Sequence, residues 1–292
     1  MSVEIDSEAV GPLVLDRVYR AIEDFDAVEL RGLFRPDAFV LTSTSDGVLA
    51  SAELVIVDLQ RWSNVVTLRG DTLRLRREYR HVGTSASGQA AWVFDQIVAE
   101  TVSGAIVVSS VPIRVTALIA LHGEWRIAAA YWSVPFATQA EQDTVKAAGA
   151  LEPGARLDEH ITGAAKPIVD TLTAALADAQ QLPGLYSTSP AHVTIGSVTA
   201  EIFLGAAGRG AWEEFVQYVA LFSVRGPMRA ALVTPDTGWL AANIDIGDPP
   251  TPYRFFYIWT REDDGWRIAL SHDAVSRHPC ETTVDATEPS IR

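Results

Sequence analysis

The sequence predicts an α+β protein built from two tandem domains, with helices packed on one face of an antiparallel sheet in each. Two observations predict this fold class. Helical periodicity opens each half and is followed by strand-like segments, an order typical of α+β domains. Features of the first half also recur in the same order in the second half. The length of 292 residues agrees, since a domain has roughly 100–200 residues.

The internal repeat rests on three pairs of matching segments, and such a repeat decides the fold when it is present. The pairs are 39–51 with 193–205, 91–93 with 238–240, and 114–128 with 254–269. Because insertions in surface loops cost little, small changes of offset between the pairs are expected. The sequence therefore predicts a first domain at 1–136, a linker at 137–156, a second domain at 157–277 and a flexible tail at 278–292.

The elements of each copy follow from hydrophobic spacing and turn residues. Apolar residues three to four apart predict a first helix, which involves Val14, Val18, Ile22 and Phe25. In the second copy the same spacing predicts a helix through Ile161, Ala165, Ile168, Leu172 and Leu176. Two further helices and four strands are expected in the first copy, at 27–34, 51–62, 73–82, 90–100, 106–121 and 125–134. The linker has mostly alanine as its apolar residue and can carry a short helix.

Composition excludes several classes of function. The formal net charge is −14, and such a field repels nucleic acid and anionic membranes, so neither is an expected partner. The single cysteine, Cys280, cannot form an internal disulfide, and no Cys/His spacing resembles a zinc site. The only lysines are Lys146 and Lys166, and no nucleotide-binding glycine motif is present. We expect no cofactor and no metal, and the acidic start and the absence of a membrane-length apolar run favour a cytoplasmic location.

The order helix, helix, strand, helix and long meander ending in Trp-Arg-Ile resembles the nuclear-transport-factor-like (cystatin-like) superfamily, and SnoaL-like domains most closely. The motifs are Arg114-Val-Thr116 with Gly123-Glu-Trp-Arg-Ile127, and Arg254 with Gly265-Trp-Arg-Ile268. His272 and its counterpart Tyr131 match the family's strand histidine. The resemblance covers roughly 12–136 and 157–277.

This resemblance implies that each domain is a cone, in which a curved antiparallel or mixed sheet wraps around N-terminal helices and encloses a hydrophobic pocket. It also implies an intramolecular pseudo-dimer, because single-domain relatives often pair their sheets face to face. Further oligomerisation stays open. Eight tryptophans suit an apolar ligand cavity, but they also suit two filled cores. The candidate ligand-pocket residues are Trp62, Trp92, Phe94, Tyr131, Met228, Trp239, Asn243 and Trp259.

Candidate catalytic residues are His272 and Asp245. A histidine can act as a general base near neutral pH, and Asp245 shares a strand face with Asn243 and Trp239. The alternatives are a half-buried histidine bound to a carbonyl and an aspartate that pairs with arginine. His272 and Asp273 form no dyad by themselves, because adjacent strand residues point to opposite faces. A gapless alignment with ketosteroid isomerase puts its base at Thr42, so the sequence disfavours steroid isomerisation.

Arginines carry almost all the positive charge. Five arginines cluster in the first copy, and such a cluster can bind an anion. We favour the alternative that they form a ladder of ion pairs across neighbouring strands. The five residues are Arg69, Arg74, Arg76, Arg77 and Arg80. Asp95, on a central strand, also needs a partner if it is buried. Arg114 and Arg254 occupy equivalent repeat positions, which favours a structural role, such as holding a carboxylate or a loop carbonyl, over catalysis.

Two functions are compatible with these patterns. The favoured one is a small-molecule-binding or scaffold protein with a hydrophobic pocket per domain. The alternative is a cofactor-independent lyase, isomerase, dehydratase or polyketide-cyclase-like enzyme, acting on a hydrophobic or polycyclic substrate with acid and base groups from the second domain. A purely protein-assembly role is a third possibility. The sequence does not choose the ligand.

Overall fold

A computed structural model describes residues 7–42, 47–147, 157–219 and 221–275. Within these residues the chain forms two mixed sheets, each with its own helices. The first unit comprises α1–α3 and β1–β6, and the second unit comprises α5, α6 and β7–β14, while α4 follows the first unit. The α+β class is confirmed. The predicted tail at 278–292 and Cys280 lie outside the described residues, and the domain limits stay a prediction.

The first unit begins with three helices, α1 (Ser7–Glu23), α2 (Ala27–Leu33) and α3 (Ala52–Thr67). Its sheet has the order β2-β1-β6-β5-β4-β3, and β1 runs parallel to β6. The strands are β1 (Phe34–Thr42), β2 (Val48–Leu49), β3 (Thr72–Thr84), β4 (Ala90–Ser103), β5 (Ile106–His122) and β6 (Glu124–Ser133). The predicted helices and strands of this copy are confirmed, with small differences at their ends.

The second unit repeats this arrangement with shorter elements. Its sheet has the order β7-β11-β12-β13-β14-β8-β9, and β10 pairs with β12. The helices are α4 (Gln139–Ala147), which belongs to the linker, α5 (Lys166–Ala177) and α6 (Ala206–Tyr218). The strands are β7 (His160–Ile161), β8 (Val193–Ile195), β9 (Ile202–Leu204), β10 (Phe222–Val224), β11 (Arg229–Thr234), β12 (Thr237–Ile246), β13 (Thr251–Glu262) and β14 (Gly265–Val275).

Local signals decide where the helices begin. The Asp26 carboxylate accepts hydrogen bonds from the first free amides of α2, and the Ser51 hydroxyl does the same for α3. The helix predicted from Ile161 is shorter than expected, because Ile161 pairs with β11 and α5 begins at Lys166. Pro167 explains this start, since proline fits the first turn of a helix, where its missing N–H is not needed.

The same strand pairing appears in both units. In the first unit Phe39 on β1 pairs with Ala129 on β6, and in the second unit Val193 on β8 pairs with Leu270 on β14. Both pairs are parallel, and their members match at the offsets of the sequence repeat. The repeat therefore extends from the sequence to the register of the central strands.

Each sheet buries both of its faces. One face packs on the helices of its own unit, and the other face contacts the sheet of the other unit. Side chains from both units form the inter-unit interface, which includes Phe39, Phe94, Tyr131, Trp239, Phe256 and Ile258. The rings of Phe39 and Trp239 are stacked across it, with their centroids 4.5 Å apart. Burial of this apolar surface holds the two sheets together.

Two buried arginines link the units in a reciprocal way. Arg114 of the first unit donates to the carbonyls of Gly196, Val198 and Thr199 in the second unit. Arg254 of the second unit donates to the carbonyl of Thr42, the repeat counterpart of Gly196. The sequence prediction that these arginines hold loop carbonyls is confirmed. Charge-assisted hydrogen bonds of this kind stabilise a fixed orientation of the units.

Candidate functional site

A pocket of about 310 Å³ lies in the second unit, between the helix-facing side of its sheet and the helices α4 and α6. Its polar wall consists of Gln139, Gln142, Lys146, Glu201, Tyr253 and Asp273. Its apolar wall consists of Phe203, Trp212, Phe215, Ile246 and Phe255. A concave site with an apolar body and a few polar groups on one side is typical of small-molecule binding.

Asp273 faces this pocket because of its position on β14. His272 and Asp273 are neighbours in a strand, so their side chains point to opposite faces, His272 towards the first unit and Asp273 into the pocket. Burial and the nearby Glu201 carboxylate raise the pKa of Asp273 well above its usual value, and Arg114 opposes this shift. No other described residue donates a hydrogen bond to the Asp273 carboxyl. Burial and the Glu201 charge thus both oppose ionisation of Asp273.

Glu201 is held at the pocket by the turn between β8 and β9. Its Oε2 accepts a hydrogen bond of 2.8 Å from the Val198 amide. The carboxylate lies over Gly196, where an added Cβ would meet Glu201 Oε2 at 2.3 Å, so only glycine fits there. Arg114, which binds the Val198 carbonyl, contributes a positive charge close to this carboxylate, and burial lowers the pKa of Arg114 to about 10.

The linker helix α4 covers one side of the pocket. Gln142, although polar, is buried there, and its amide donates to the Tyr253 hydroxyl at 3.3 Å. Lys146 Nζ donates to the same hydroxyl at 3.3 Å and lies 5.6 Å from the centre of the Tyr253 ring. Burial lowers the pKa of Lys146. The predicted short helix in the linker is confirmed, and it forms part of the pocket wall.

The corresponding interior of the first unit is filled. Trp132, the repeat counterpart of Asp273, packs against the core of the first unit. Tyr19 donates to the Asp95 carboxylate at 2.9 Å, and Arg80 pairs with Asp95 at 2.5 Å. A hollow between α1, α2 and α3 has only about 10 Å³, which is about the space of one water molecule. A larger cleft of the first unit, about 1040 Å³, lies at the other end of its strands, where α1 and α2 meet Leu121, Gly123 and Trp125.

Comparison with known proteins finds similarity in folds alone. No protein-family model matches the chain, and no curated protein matches it. Solved structures similar to it are described as NTF2-like or cystatin-like. These descriptions name the same superfamily that the sequence motifs resemble.

Three of these structures show the extent of the similarity. An NTF2-like protein of unknown function from Pseudomonas putida is 13% identical, with a TM-score of 0.40, over 48% of this chain and 94% of its own. A cystatin-like domain of unknown function from Nostoc punctiforme is 15% identical, with a TM-score of 0.39, over 60% and 99%. Aln2 from a Streptomyces species is 14% identical, with a TM-score of 0.39, over 51% and 98%.

Four of the predicted ligand-pocket residues lie in the inter-unit interface. Trp92, Phe94, Tyr131 and Trp239 belong to the apolar cluster between the two sheets. The Trp92 indole N–H donates to the Ala191 carbonyl of the second unit at 3.1 Å. The side of β4 that carries Trp92 and Phe94 therefore faces the other sheet, while the opposite side faces the helices.

The remaining candidates lie in or against the two cores and on an inner strand of the second sheet. Trp62 and Met228 are partly buried against the cores of the first and second units, and Trp259 is fully buried in the second core. Asn243 is buried on β12. None of these residues lines the 310 Å³ pocket. Their role in ligand binding stays a prediction.

The two predicted catalytic residues lie outside the pocket. Asp245 pairs with Arg225 at 2.9 Å, the arginine partner that the sequence leaves as the alternative. His272 is fully buried between the units, where Thr116 Oγ1 lies 2.9 Å from its Nδ1 and Ser133 Oγ lies 2.7 Å from its Nε2. Burial and the charge of Arg114 lower the pKa of His272 well below its usual value. A neutral histidine bonded on both nitrogens is typical of a structural role.

The arginine cluster of β3 forms ion pairs, as the sequence favours. Arg74 lies 2.5 Å and Arg76 lies 3.6 Å from Glu100 on the neighbouring strand. Arg80 pairs across the strands with Asp95 at 2.5 Å and also reaches Asp16 on α1 at 2.9 Å. Arg77 differs from the expected cross-strand pattern, since it reaches Asp16 at 2.5 Å. The helix on this face of the sheet supplies the partner.

Sequence reasoning missed the groups that line the pocket. Asp273 was available as a carboxyl in a strand, but the family motif points to the neighbouring histidine. Glu201 lies in the Gly196–Gly205 segment that resembles the family's strand-to-helix junction. No sequence signal indicates that α4 packs here. In the part of the chain that the structure describes, no group of three metal-ligating side chains lies together, and no helix is long and apolar enough to cross a membrane.

Proposed function

We propose that the protein binds a small molecule with an apolar body in the pocket of the second unit. The observation that carries this proposal is the asymmetry between two copies of one fold. The second unit has a pocket of about 310 Å³ with Asp273 and Glu201 on its wall, while Trp132 fills the first unit at the position equivalent to Asp273. Because both copies keep the fold but only the second has a pocket at this position, we assign ligand binding to the second copy alone.

In this proposal the first unit supports the second one as half of an intramolecular pseudo-dimer. The contacts of Arg114 and Arg254 with equivalent carbonyls support this arrangement, as does the apolar cluster between the sheets. The strand β14, which carries Asp273, is buried on its other face by the first unit through His272. Fixing that strand fixes the polar wall of the pocket.

The experiment is a titration with naphthylmethanol, a neutral bicyclic probe, followed by calorimetry and by tryptophan fluorescence. We expect saturable binding of one probe per chain. Ala211→Phe, which fills the pocket from α6, is expected to abolish the binding. The control is Ala207→Phe, because Ala207 lines the neighbouring outer groove and not the pocket. Binding that survives Ala211→Phe, or no binding to the unchanged protein, contradicts the proposal.

Acid–base catalysis in the same pocket is the second candidate function. The observation in its favour is the raised pKa of Asp273 in a pocket, because carboxyls with strongly raised pKa values occur often at catalytic sites. Such an enzyme would be a cofactor-independent isomerase, dehydratase or cyclase. Asp273→Asn would then abolish turnover and preserve binding, whereas a binding protein has no turnover to lose.

A further inference from the structure

The pocket brings two carboxyl groups to one apolar cavity, and this feature points to a class of ligand. We infer that the ligand carries a basic nitrogen, which is protonated in water and lies between the carboxyls of Asp273 and Glu201. Its apolar body contacts the aromatic wall formed by Trp212, Phe215 and Phe255. The inference rests on the proposed function, since it names the chemistry of the molecule that this pocket binds.

Charged and titratable groups from several elements surround the Asp273 carboxyl. Glu201 repels its ionised form and Arg114 attracts it, and both are close enough to influence it. Lys146 on α4 also lines the pocket, where it lies near Glu201 and donates to Tyr253. The phenols of Tyr186, Tyr253 and Tyr257 also feel the Asp273 charge, and each is held neutral by burial.

Arg114 lies near both carboxyls but donates to three backbone carbonyls of the second unit. Lys146 lies near Glu201 but donates to Tyr253. Among the described residues no cation donates a hydrogen bond to either carboxyl, so the ionised form of Asp273 lacks a bonded partner. An ammonium group that enters the pocket supplies that partner and donates hydrogen bonds to both carboxyls, which are stronger when both members are charged. The carboxyl proton of Asp273 then leaves to solvent as the cation enters, and the net charge of the site is unchanged.

The walls of the pocket also favour a cation. Trp212 is edge-on to Phe215, with ring centroids 5.4 Å apart, and is 6.2 Å from Phe255. Aromatic faces attract cations, most strongly where water is excluded. The chain has a formal net charge of −14, which draws cations towards its surface. An anionic ligand would need Lys146 or Arg114 as its partner, but Lys146 already donates to a tyrosine hydroxyl and Arg114 to three carbonyls.

The test compares two probes of the same shape, naphthylmethylamine and naphthylmethanol. Calorimetry at about pH 6, where the amine is fully protonated, is repeated in buffers of different ionisation enthalpy, so that proton release is measured directly. We expect the amine to bind at least about tenfold more tightly than the alcohol. We also expect binding of the amine to release a proton, up to one per chain, at every pH at which Asp273 is protonated in the free protein. Its affinity rises as the pH rises through the pKa of Asp273, because protons compete with the ammonium.

Asp273→Asn keeps the shape of the side chain and removes the proton that is exchanged. In this variant we expect the proton release to vanish and the preference for the amine to fall about tenfold or more, while the alcohol binds as before. The matched control is Asp170→Asn, which removes the same charge from an exposed ion pair with Lys166 on α5. This control is expected to bind both probes as the unchanged protein does.

The outcomes separate this inference from the proposed function. Equal binding of amine and alcohol at the pocket overturns the basic-nitrogen ligand and leaves the proposed function standing. Equal effects of Asp273→Asn and Asp170→Asn also overturn it, because the preference would then come from the overall charge. If neither probe binds, both the proposed function and this inference are wrong.

Discussion

His272 of the second unit contacts the first unit through its ring and through both of its ring nitrogens. Its ring lies 4.4 Å from the ring of Tyr131, its own counterpart in the repeat, and both nitrogens meet hydroxyls of the first unit. One nitrogen of a neutral imidazole donates and the other accepts, so Thr116 and Ser133 together satisfy the ring. A protonated ring would place a positive charge in a fully buried site close to the charge of Arg114, and both effects oppose protonation.

Replacing His272 by alanine is therefore expected to destabilise the fold. The change leaves a cavity and two buried hydroxyls without a partner, and we expect a loss of about 3–5 kcal/mol in the free energy of unfolding. Urea denaturation measures the loss. His272→Gln, which can still bond one hydroxyl, is expected to lose less. A loss below about 1 kcal/mol for His272→Ala contradicts the structural role.

The same residue makes stability depend on pH with a definite sign. The pKa of His272 in the folded state lies below its value in the unfolded state, so acid favours the unfolded state, which takes up the proton. Stability is expected to fall as the pH drops below about 6.5. Burial also lowers the pKa of His192, to about 4, so His272→Gln should reduce the pH dependence without abolishing it.

The helix α4 is attached to the pocket wall by two hydrogen bonds and an apolar contact, all at Tyr253. The Tyr253 hydroxyl accepts from both Gln142 and Lys146, and Val145 packs beside Tyr253 in a small apolar cluster with Phe136 and Val275. The helix has only nine residues, too few to be stable alone in water. Tertiary contacts must therefore hold it over the pocket.

Tyr253→Phe tests this attachment with the loss of a single oxygen atom. Without the hydroxyl, Gln142 and Lys146 lose their acceptor, and we expect the amides of Gln139–Ala147 to exchange hydrogen several-fold faster. Global stability should change by no more than about 1 kcal/mol, the value of a typical hydrogen bond. Tyr218→Phe serves as the control, because Tyr218 is exposed on α6. Unchanged exchange in α4 means that other contacts hold the helix.

The strands show why the sequence predicts the sheets better than the pocket. The alternation along β4 correctly separates Trp92 and Phe94 from Val93 and Ile97, but both sets are apolar and both are buried. Alternation distinguishes the two faces of a strand only when one of them meets water. Which face meets the helices and which meets the other sheet depends on how the two units pack, and no local pattern records that.

The same limit of strand alternation applies to one pair of residues at the candidate site. The sequence places His272 and Asp273 on opposite faces of one strand, and the structure agrees. The sequence does not indicate that the histidine faces the first unit and that the carboxyl faces the pocket. That choice depends on Thr116 and Ser133, which lie 156 and 139 residues earlier in the chain. The repeat positions of Arg114 and Arg254 were a better guide, because symmetry carries long-range information.

At the scale of the whole molecule, the duplication supplies two sheets, and the divergence leaves a pocket beside Asp273 in the second unit and a packed tryptophan at the equivalent position of the first. The inter-unit contacts are shared by both copies, as the paired roles of Arg114 and Arg254 show. The interiors are not shared, since Trp132 stands where the second unit has Asp273. Copies that must keep a common interface are free to differ inside, and one of them can then specialise in binding.

An interface of this kind predicts that both units unfold together. Its apolar side chains, among them Phe39, Phe256 and Trp239, are exposed if either sheet separates, so neither unit keeps its stability alone. Scanning calorimetry should show a single transition whose calorimetric and van't Hoff enthalpies agree. Trp239→Ala, which removes the ring stacked on Phe39, is expected to cost about 3–5 kcal/mol. Leu68→Ala, at a side chain that is 86% exposed, should leave the transition in place. Two resolved transitions in the unchanged protein would show that the units are independent domains joined by a linker.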